Sequence, residues 1–100
     1  MGDYYILYGH KTKKTDDLKE WAECHSNIET RRVAQTEKNG VRVSTVFLGI
    51  DHSWGEGPPL LFETMVFGGE HDLEMERYTT WEEAEAGHKE MCERIFHEQK

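Results

Sequence analysis

The residues best suited to chemistry lie in or beside a glycine- and proline-rich loop near the middle of the chain. Asp51 and His52 begin this loop, Trp54 lies within it, and Glu63 lies in the apolar run that follows. A carboxylate next to an imidazole can orient a general base or supply metal ligands. Adjacent strand residues point to opposite faces, so Asp51 and His52 need not act together. We therefore favour a polar strand end exposed to water as their role.

Glu63 interrupts the apolar run LLFETMVF, where burying a carboxylate without a partner would be costly. Two interpretations stay open. In the first, Glu63 forms a buried ion pair with Arg31, Arg32, Arg77 or a histidine. In the second, its carboxylate faces a ligand.

His88 lies on the apolar stripe of the last predicted helix, where a histidine is more often a hydrogen-bonded core residue than a catalyst. If it met Glu63 or Asp51 across the core, these side chains and His52 could hold a divalent metal or act as acid and base. The segment GEGPP lacks the spacing of a phosphate-binding loop, and no serine or cysteine lies in a nucleophile motif. An enzyme that depends on a metal ion or on acid/base catalysis is thus one alternative. The sequence does not assign metal ligands, and no cofactor is expected.

Trp54 is unusual in a loop rich in glycine, because an exposed tryptophan leaves a large apolar area in water. It either folds back over the end of the sheet or contacts a partner, since tryptophan is enriched at interface hot spots. The two prolines restrict the loop, which lowers the entropy lost when its residues bind. These arguments predict a contact surface made by His52 and Trp54, with Asp51 and Glu63 nearby.

The chain has 100 residues, and its 20 acidic against 12 basic residues give a formal net charge of −8. The length fits one domain over residues 1–100. The charge argues against direct nucleic-acid binding, which needs a basic surface.

The segment EHDLEME carries acids at alternate positions, and in an extended chain all of them would project to one side. The segment is then either a solvated connection or the contact surface of an acidic decoy that occupies a nucleic-acid-binding protein. These acids are Glu70, Asp72, Glu74 and Glu76.

Cys24 and Cys92 both lie in predicted helices and have no metal-site spacing, so we expect reduced, half-buried thiols. The segment MGDYYILYGH lacks the basic region and long apolar run of a signal peptide. No apolar stretch is long enough to span a bilayer. These features predict a cytoplasmic protein without membrane contact.

The elements that position these residues follow from local pattern. The segment 3–9 is aromatic and β-branched, which predicts a strand, and the basic HKTKKT is expected to be a loop. A helix is predicted over 15–25, capped by Thr15 or Asp16. Its buried face is expected to carry residues at helical spacing, namely Leu18, Trp21, Ala22 and His25.

Asn39-Gly40 is the preferred pair for a type I′ hairpin turn, because both positions need positive φ. A turn there pairs Lys38 with Val41, Thr36 with Val43 and Ala34 with Thr45, and places Glu37 opposite Arg42. For the next hairpin we predict pairs that would form an apolar face and leave Gly49 opposite Glu63. These pairs are His52 with Leu60, Ile50 with Phe62, Leu48 with Thr64 and Val46 with Val66.

The last segment predicts a helix with a capping box formed by Thr80 and Glu83. Gly87 lies inside this helix, which suggests close approach of its backbone to the sheet. A stripe at alternating spacings of three and four should be buried: Trp81, Ala84, His88, Met91 and Ile95. The order strand-helix-strand-strand-strand-helix predicts an α+β domain with an antiparallel sheet of about four strands and the C-terminal helix packed on it.

Three blocks, RRVAQT, VSTVFLGIDHSWGEGPPLLFETMVFGG and RYTTWEEAEAGH, resemble a family of small, uncharacterised bacteriophage proteins over roughly residues 20 to 90. The resemblance implies a phage accessory protein made in the host cytoplasm, and it assigns no activity or site. The leading hypothesis is a non-enzymatic binding module for a host protein or a small molecule. The enzyme and the acidic decoy are the alternatives, and the sequence does not predict the oligomeric state.

Overall fold

The structure is a computed structural model that describes residues 3–53 and 55–97. Its elements are β1 (Tyr5–Tyr8), β2 (Lys11–Lys14), α1 (Leu18–Ser26), α2 (Ile28–Arg31), β3 (Arg32–Lys38), β4 (Val41–Phe47), β5 (Phe62–Phe67), β6 (Met75–Tyr78) and α3 (Trp81–His97). The last four strands form an antiparallel sheet in the order β3-β4-β5-β6, and β1 and β2 form a separate hairpin. Because α3 packs across all four strands of the sheet, the predicted α+β fold is confirmed.

The core lies between α3 and one face of the sheet, which we call the inner face. Strand alternation places one set of residues there: Val41, Val43, Thr45 and Phe47 from β4, and Phe62, Thr64 and Val66 from β5. The whole predicted stripe of α3 is buried against them, namely Trp81, Ala84, His88, Met91 and Ile95. The capping box is also confirmed, since Glu83 N donates to Thr80 Oγ1 and Thr80 N donates to Glu83 Oε1, both over 3.1 Å.

The turn between β3 and β4 is the one that the sequence predicts. Asn39 has φ of 53° and Gly40 has φ of 80°. The register confirms every predicted pair, including Glu37 opposite Arg42. Since the pair supplies positive φ at both turn positions, local sequence alone fixes this hairpin.

The predicted register of the next hairpin is wrong by three residues. His52 N donates to Leu60 O over 3.0 Å, as expected, but Phe47 pairs with Phe62 and Val46 pairs with Glu63. Leu48 N still donates to Leu61 O over 2.7 Å, so the three extra residues are 49–51, which bond to the N-terminal segment instead. Tyr5 N donates to the carbonyl of Gly49 over 2.8 Å. An odd shift exchanges the faces of a strand, so Val46 and Val66 lie on opposite sides of the sheet.

Gly49 therefore does not leave room for Glu63. Its φ is +82°, and its carbonyl accepts a hydrogen bond from Trp21 Nε1 over 2.9 Å. A Cβ at this position would lie 3.1 Å from that nitrogen and 3.4 Å from His25 Nδ1. A glycine is required here because side chains of α1 lie close to the backbone. The predicted pairing of Gly49 with Glu63 is wrong.

Three expectations for the N-terminal region are also corrected. The basic segment is the strand β2, whose Lys13 pairs with Ile6, rather than a loop. The cap of α1 is Asp17, whose Oδ1 accepts from the N–H groups of the first turn. Leu18 is 60% exposed, and α1 has no fully buried residue, because the short helix rests on β1 at the edge of the core.

The segment 70–76 is not an extended chain. Residues 70–73 form a turn in which Leu73 has φ of 70°, and only the last two belong to β6. Asp72 Oδ1 accepts a hydrogen bond from Gly68 N over 2.6 Å, which closes the turn. The four acids thus do not form one acidic row, and the geometry for the decoy alternative is absent.

Gly87 lies where α3 passes over the aromatic ring of Tyr78 on β6. A Cβ at Gly87 would lie 2.3 Å from atoms of that ring, far inside van der Waals contact. The predicted close approach of helix to sheet is confirmed, with an aromatic side chain as the contact. Cys24 and Cys92 are half-buried and free. Within residues 3–53 and 55–97, no helix is long and apolar enough to cross a membrane.

Candidate binding surface

In the part of the chain that the structure describes, the face of the sheet opposite α3 is open to solvent, and we call it the outer sheet face. Strand alternation places eleven residues on it: Arg32, Gln35, Glu37, Arg42, Ser44, Val46, Glu63, Met65, Phe67, Met75 and Arg77. With Ile28 of α2, most of them line a groove of about 310 Å³. Ile28 and Met75 are each 45% exposed, so the apolar character of this face extends to its edges.

Glu63 lies in this face and has a defined partner. Arg77 Nε donates to Glu63 Oε2 over 3.0 Å from the neighbouring strand, where the two residues are directly opposed. The side chains are 15% exposed for Glu63 and 29% for Arg77. The predicted ion pair is therefore present, and it lies in the wall of the groove rather than in the core.

The remaining arginines of the outer sheet face have their charge available. The guanidinium of Arg42 lies 4.7 Å from the centre of the Phe67 ring, a cation–π contact. Within the part of the chain that the structure describes, neither Arg42 nor Arg32 forms an ion pair. Three of the five arginines of the chain thus lie on one face, against two glutamates.

Asp51 organises the loop that follows β4. Its Oδ1 accepts hydrogen bonds from Ser53 N over 2.8 Å and from Leu60 N over 3.0 Å. Partial desolvation would raise the pKa of Asp51, but these hydrogen bonds outweigh it and lower the pKa below its ordinary value. The favoured structural role of Asp51 fits this geometry. His52 is half-buried in the same loop, and Trp54 lies outside the described residues.

His88 is part of a buried polar network on the inner face. Its Nε2 lies 2.9 Å from Thr36 Oγ1 and its Nδ1 lies 2.7 Å from Thr45 Oγ1, which in turn contacts Thr64 Oγ1 at 2.5 Å. Glu63 is on the other side of the sheet, so His88 and Glu63 do not meet. Among the described residues, no group of three His, Cys, Asp or Glu side chains is placed to hold a metal ion.

The burial of His88 predicts a loss of stability in mild acid. Desolvation lowers the pKa of His88 in the folded protein, so below about pH 6.5 the unfolded chain takes up a proton that the folded chain does not. The free energy of unfolding should therefore fall as the pH drops from 7.5 to 5.5, by up to about 1.4 kcal/mol per pH unit from this group. Urea denaturation of the wild type and of His88→Gln checks this.

The comparison isolates His88, because the other histidines and the carboxylates are common to both proteins. His25 contributes with the same sign, since desolvation and the charge of Arg31 lower its pKa too, so His25→Gln is a matched second variant. We expect a shallower pH dependence for each variant than for the wild type. Parallel curves for wild type and His88→Gln would show that His88 does not resist protonation.

The acids around the turn at 70–73 serve local structure. Glu74 accepts hydrogen bonds from His71 and, over 2.9 Å, from Arg94 Nη2 of α3. These bonds lower the pKa of Glu74. Glu74 thereby ties the end of the turn to α3.

Neither a protein-family model, nor a curated protein, nor a solved structure matches this chain. The resemblance to small phage proteins therefore stays a prediction from the three sequence blocks. The geometry of the outer sheet face is the basis on which a function can be assigned.

The sequence reasoning located Glu63 but missed its neighbours Arg42, Met65 and Phe67. A signal for Arg42 was present, because VRVSTVF alternates and must turn Arg42 and Ser44 away from the core. FETMVF is apolar at four of six positions, so its pattern does not show which face is inside. The register decides which residues of β4 share a face with Glu63, and the register error paired Val46 with Val66 and so placed Val46 on the wrong face.

Proposed function

We propose that this protein is a small phage accessory protein that acts in the host cytoplasm as a non-enzymatic binding module. Its contact surface for a host protein is the outer sheet face. The observation that supports this proposal is the groove on the face opposite α3, where apolar side chains such as Met65 and Phe67 lie among arginines. The phage origin and the host compartment rest on the sequence resemblance alone.

The composition of the face favours a protein partner. Interface cores are enriched in aromatic residues, methionine and arginine, and the outer sheet face carries Phe67, two methionines and three arginines. Apolar groups left in water on an otherwise charged protein commonly mark interaction sites. The inner face, by contrast, is covered by α3.

An enzyme is the weaker alternative because its residues are dispersed. Asp51 is occupied by backbone N–H groups, Glu63 by Arg77, and His88 by two threonine hydroxyls. These three groups face different environments and do not converge on one reacting atom. We therefore assign no catalytic residue.

The test uses Met65→Glu, which places a charge in the middle of the groove, as bait in a bacterial lysate. We expect recovery of the partners that wild-type bait enriches to fall at least about tenfold, because truncation or charging of a central anchor typically removes most of the binding energy. Quantitative mass spectrometry measures the recovery, and circular dichroism confirms that the bait is folded.

The matched control is Glu85→Lys, which alters an exposed residue on the other side of the molecule, on α3. It should retain the partners of the wild type. Equal recovery with wild type and Met65→Glu would refute the assignment of the outer sheet face. If Trp54→Ala alone lost the partners, the contact surface would be the loop that the sequence predicted.

A further inference from the structure

We propose that the partner presents an acidic amphipathic helix to the outer sheet face, with two carboxylates about two helical turns apart and apolar side chains between them. This inference rests on the proposed function and names the chemistry of its partner. It follows from the positions of the two arginines without ion pairs and of the apolar strip beside them.

The first argument is charge. Arg32 and Arg42 both line the groove, and neither forms an ion pair with a described residue. Glu37, which lies opposite Arg42, does not line the groove. Among the described residues lining it, Glu63 carries the one carboxylate, and Arg77 neutralises that. An incoming carboxylate thus meets two available guanidinium groups, which bind carboxylates through paired N–H donors.

The second argument is the opposite charge of the rest of the surface. The exposed side of α3 carries a series of glutamates, namely Glu82, Glu83, Glu85, Glu90 and Glu93. The whole chain has a formal charge of −8. An acidic helix is repelled by that side and attracted by the arginines of the outer sheet face. The exposed lysines of β2 also attract acids but do not line the groove, so charge together with apolar contact favours the outer sheet face.

The third argument is spacing. Arg32 is opposite Val46, and Arg42 lies four residues before Val46 on the same face of β4. At roughly 3.3 Å per strand residue, the two arginines are about 13 Å apart along the strand. Two turns of an α-helix span about 11 Å, so acids seven residues apart fit within the reach of the side chains.

The apolar strip lies beside these two charges, on the side of β5. Phe67 is opposite Arg42, Met65 is opposite Ser44, and Val46 is opposite Glu63. Apolar residues three and four positions after the first acid would lie over this strip. A helix is the favoured occupant because it satisfies its own backbone hydrogen bonds, as α3 does on the inner face. A segment lying flat on the sheet in extended form would leave its backbone unpaired.

The experiment selects binders from a displayed library of helical peptides that share one scaffold and vary at the exposed positions. We expect enrichment of Asp or Glu at positions about seven apart, with apolar residues between. Fluorescence anisotropy then measures the affinity of the enriched peptides for four proteins: wild type, Arg32→Glu/Arg42→Glu, Met65→Glu and the control Glu85→Lys.

We expect the double arginine variant to bind at least about tenfold more weakly than the wild type. A peptide whose two acids are replaced by lysine should recover affinity for that variant and lose it for the wild type. Glu85→Lys should bind like the wild type. Circular dichroism of each variant separates lost binding from lost folding.

The outcomes separate the two proposals. Enriched peptides without acids, or a charge swap that restores no affinity, would overturn the acidic partner. If those peptides still required Met65, the outer sheet face would remain the binding surface. If the selection enriched no peptide of the library, both the helical form of the partner segment and its acidic character would be overturned. A dimer in sedimentation equilibrium that Arg42→Glu dissociates would assign the face to a second copy of this chain.

Discussion

We expect Ile95→Ala to lower the free energy of unfolding by about 2–5 kcal/mol, the usual cost of truncating a buried isoleucine to alanine. Ile95 is 1% exposed and packs in a cluster with Val41, Val43, Val66 and Met91. Truncation removes the apolar contacts of Ile95 with the sheet and with its own helix, and it leaves a cavity between them. Urea denaturation monitored by tryptophan fluorescence measures the change.

Leu18→Ala provides the matched control. Leu18 is also an aliphatic residue of a helix, but it is 60% exposed on α1. Surface substitutions usually change stability by less than about 0.5 kcal/mol. If both variants lost the same amount, burial would not be the cause, and the packing of α3 on the inner face would be contradicted.

The accuracy of sequence reasoning differed among elements for a physical reason. The β3–β4 hairpin and α3 were predicted in detail because their signals are local. The Asn39-Gly40 pair dictates its own turn, and the stripe of α3 repeats at helical spacing. Each of these elements would be recognisable without knowledge of the rest of the chain.

The departure of the segment 49–51 from the β4–β5 pairing was not predictable in this way. It depends on bonds to residues far along the chain: Asp51 N donates to Asp3 O over 3.0 Å, and Trp21 Nε1 donates to Gly49 O. No pattern in the neighbouring sequence predicts such contacts. Their consequence was large, since a shift of three residues exchanged the faces of β4 relative to β5 and separated Val46 from Glu63, which it faces.

The candidate site was therefore predictable only in part. Glu63 was recognised because a carboxylate in an apolar run requires a partner. The sequence offered three arginines and the histidines as partners for Glu63. Only the β5–β6 register places Arg77 opposite it. The cation–π contact between Arg42 and Phe67 depends on the β4–β5 register in the same way.

The second large effect concerns Gly87, where we expect Gly87→Ala to destabilise the protein although alanine favours helices. A Cβ at this position would lie 2.3 Å from the ring of Tyr78. Overpacking of this kind typically costs about 1–3 kcal/mol. Replacing a glycine by alanine inside a helix contributes about 1 kcal/mol in the opposite direction. The net loss in the free energy of unfolding should thus reach about 2 kcal/mol.

A double-mutant cycle with Tyr78→Ala identifies the cause, because the same substitution should change sign. Without the Tyr78 ring, the steric conflict is absent and only the helix propensity remains, so Gly87→Ala should stabilise the Tyr78→Ala protein by about 1 kcal/mol. Urea denaturation of the four proteins gives the coupling energy between the two positions. If Gly87→Ala stabilised the wild type and the Tyr78→Ala protein equally, α3 would not rest on the Tyr78 ring, and the close contact of this helix with β6 would be wrong.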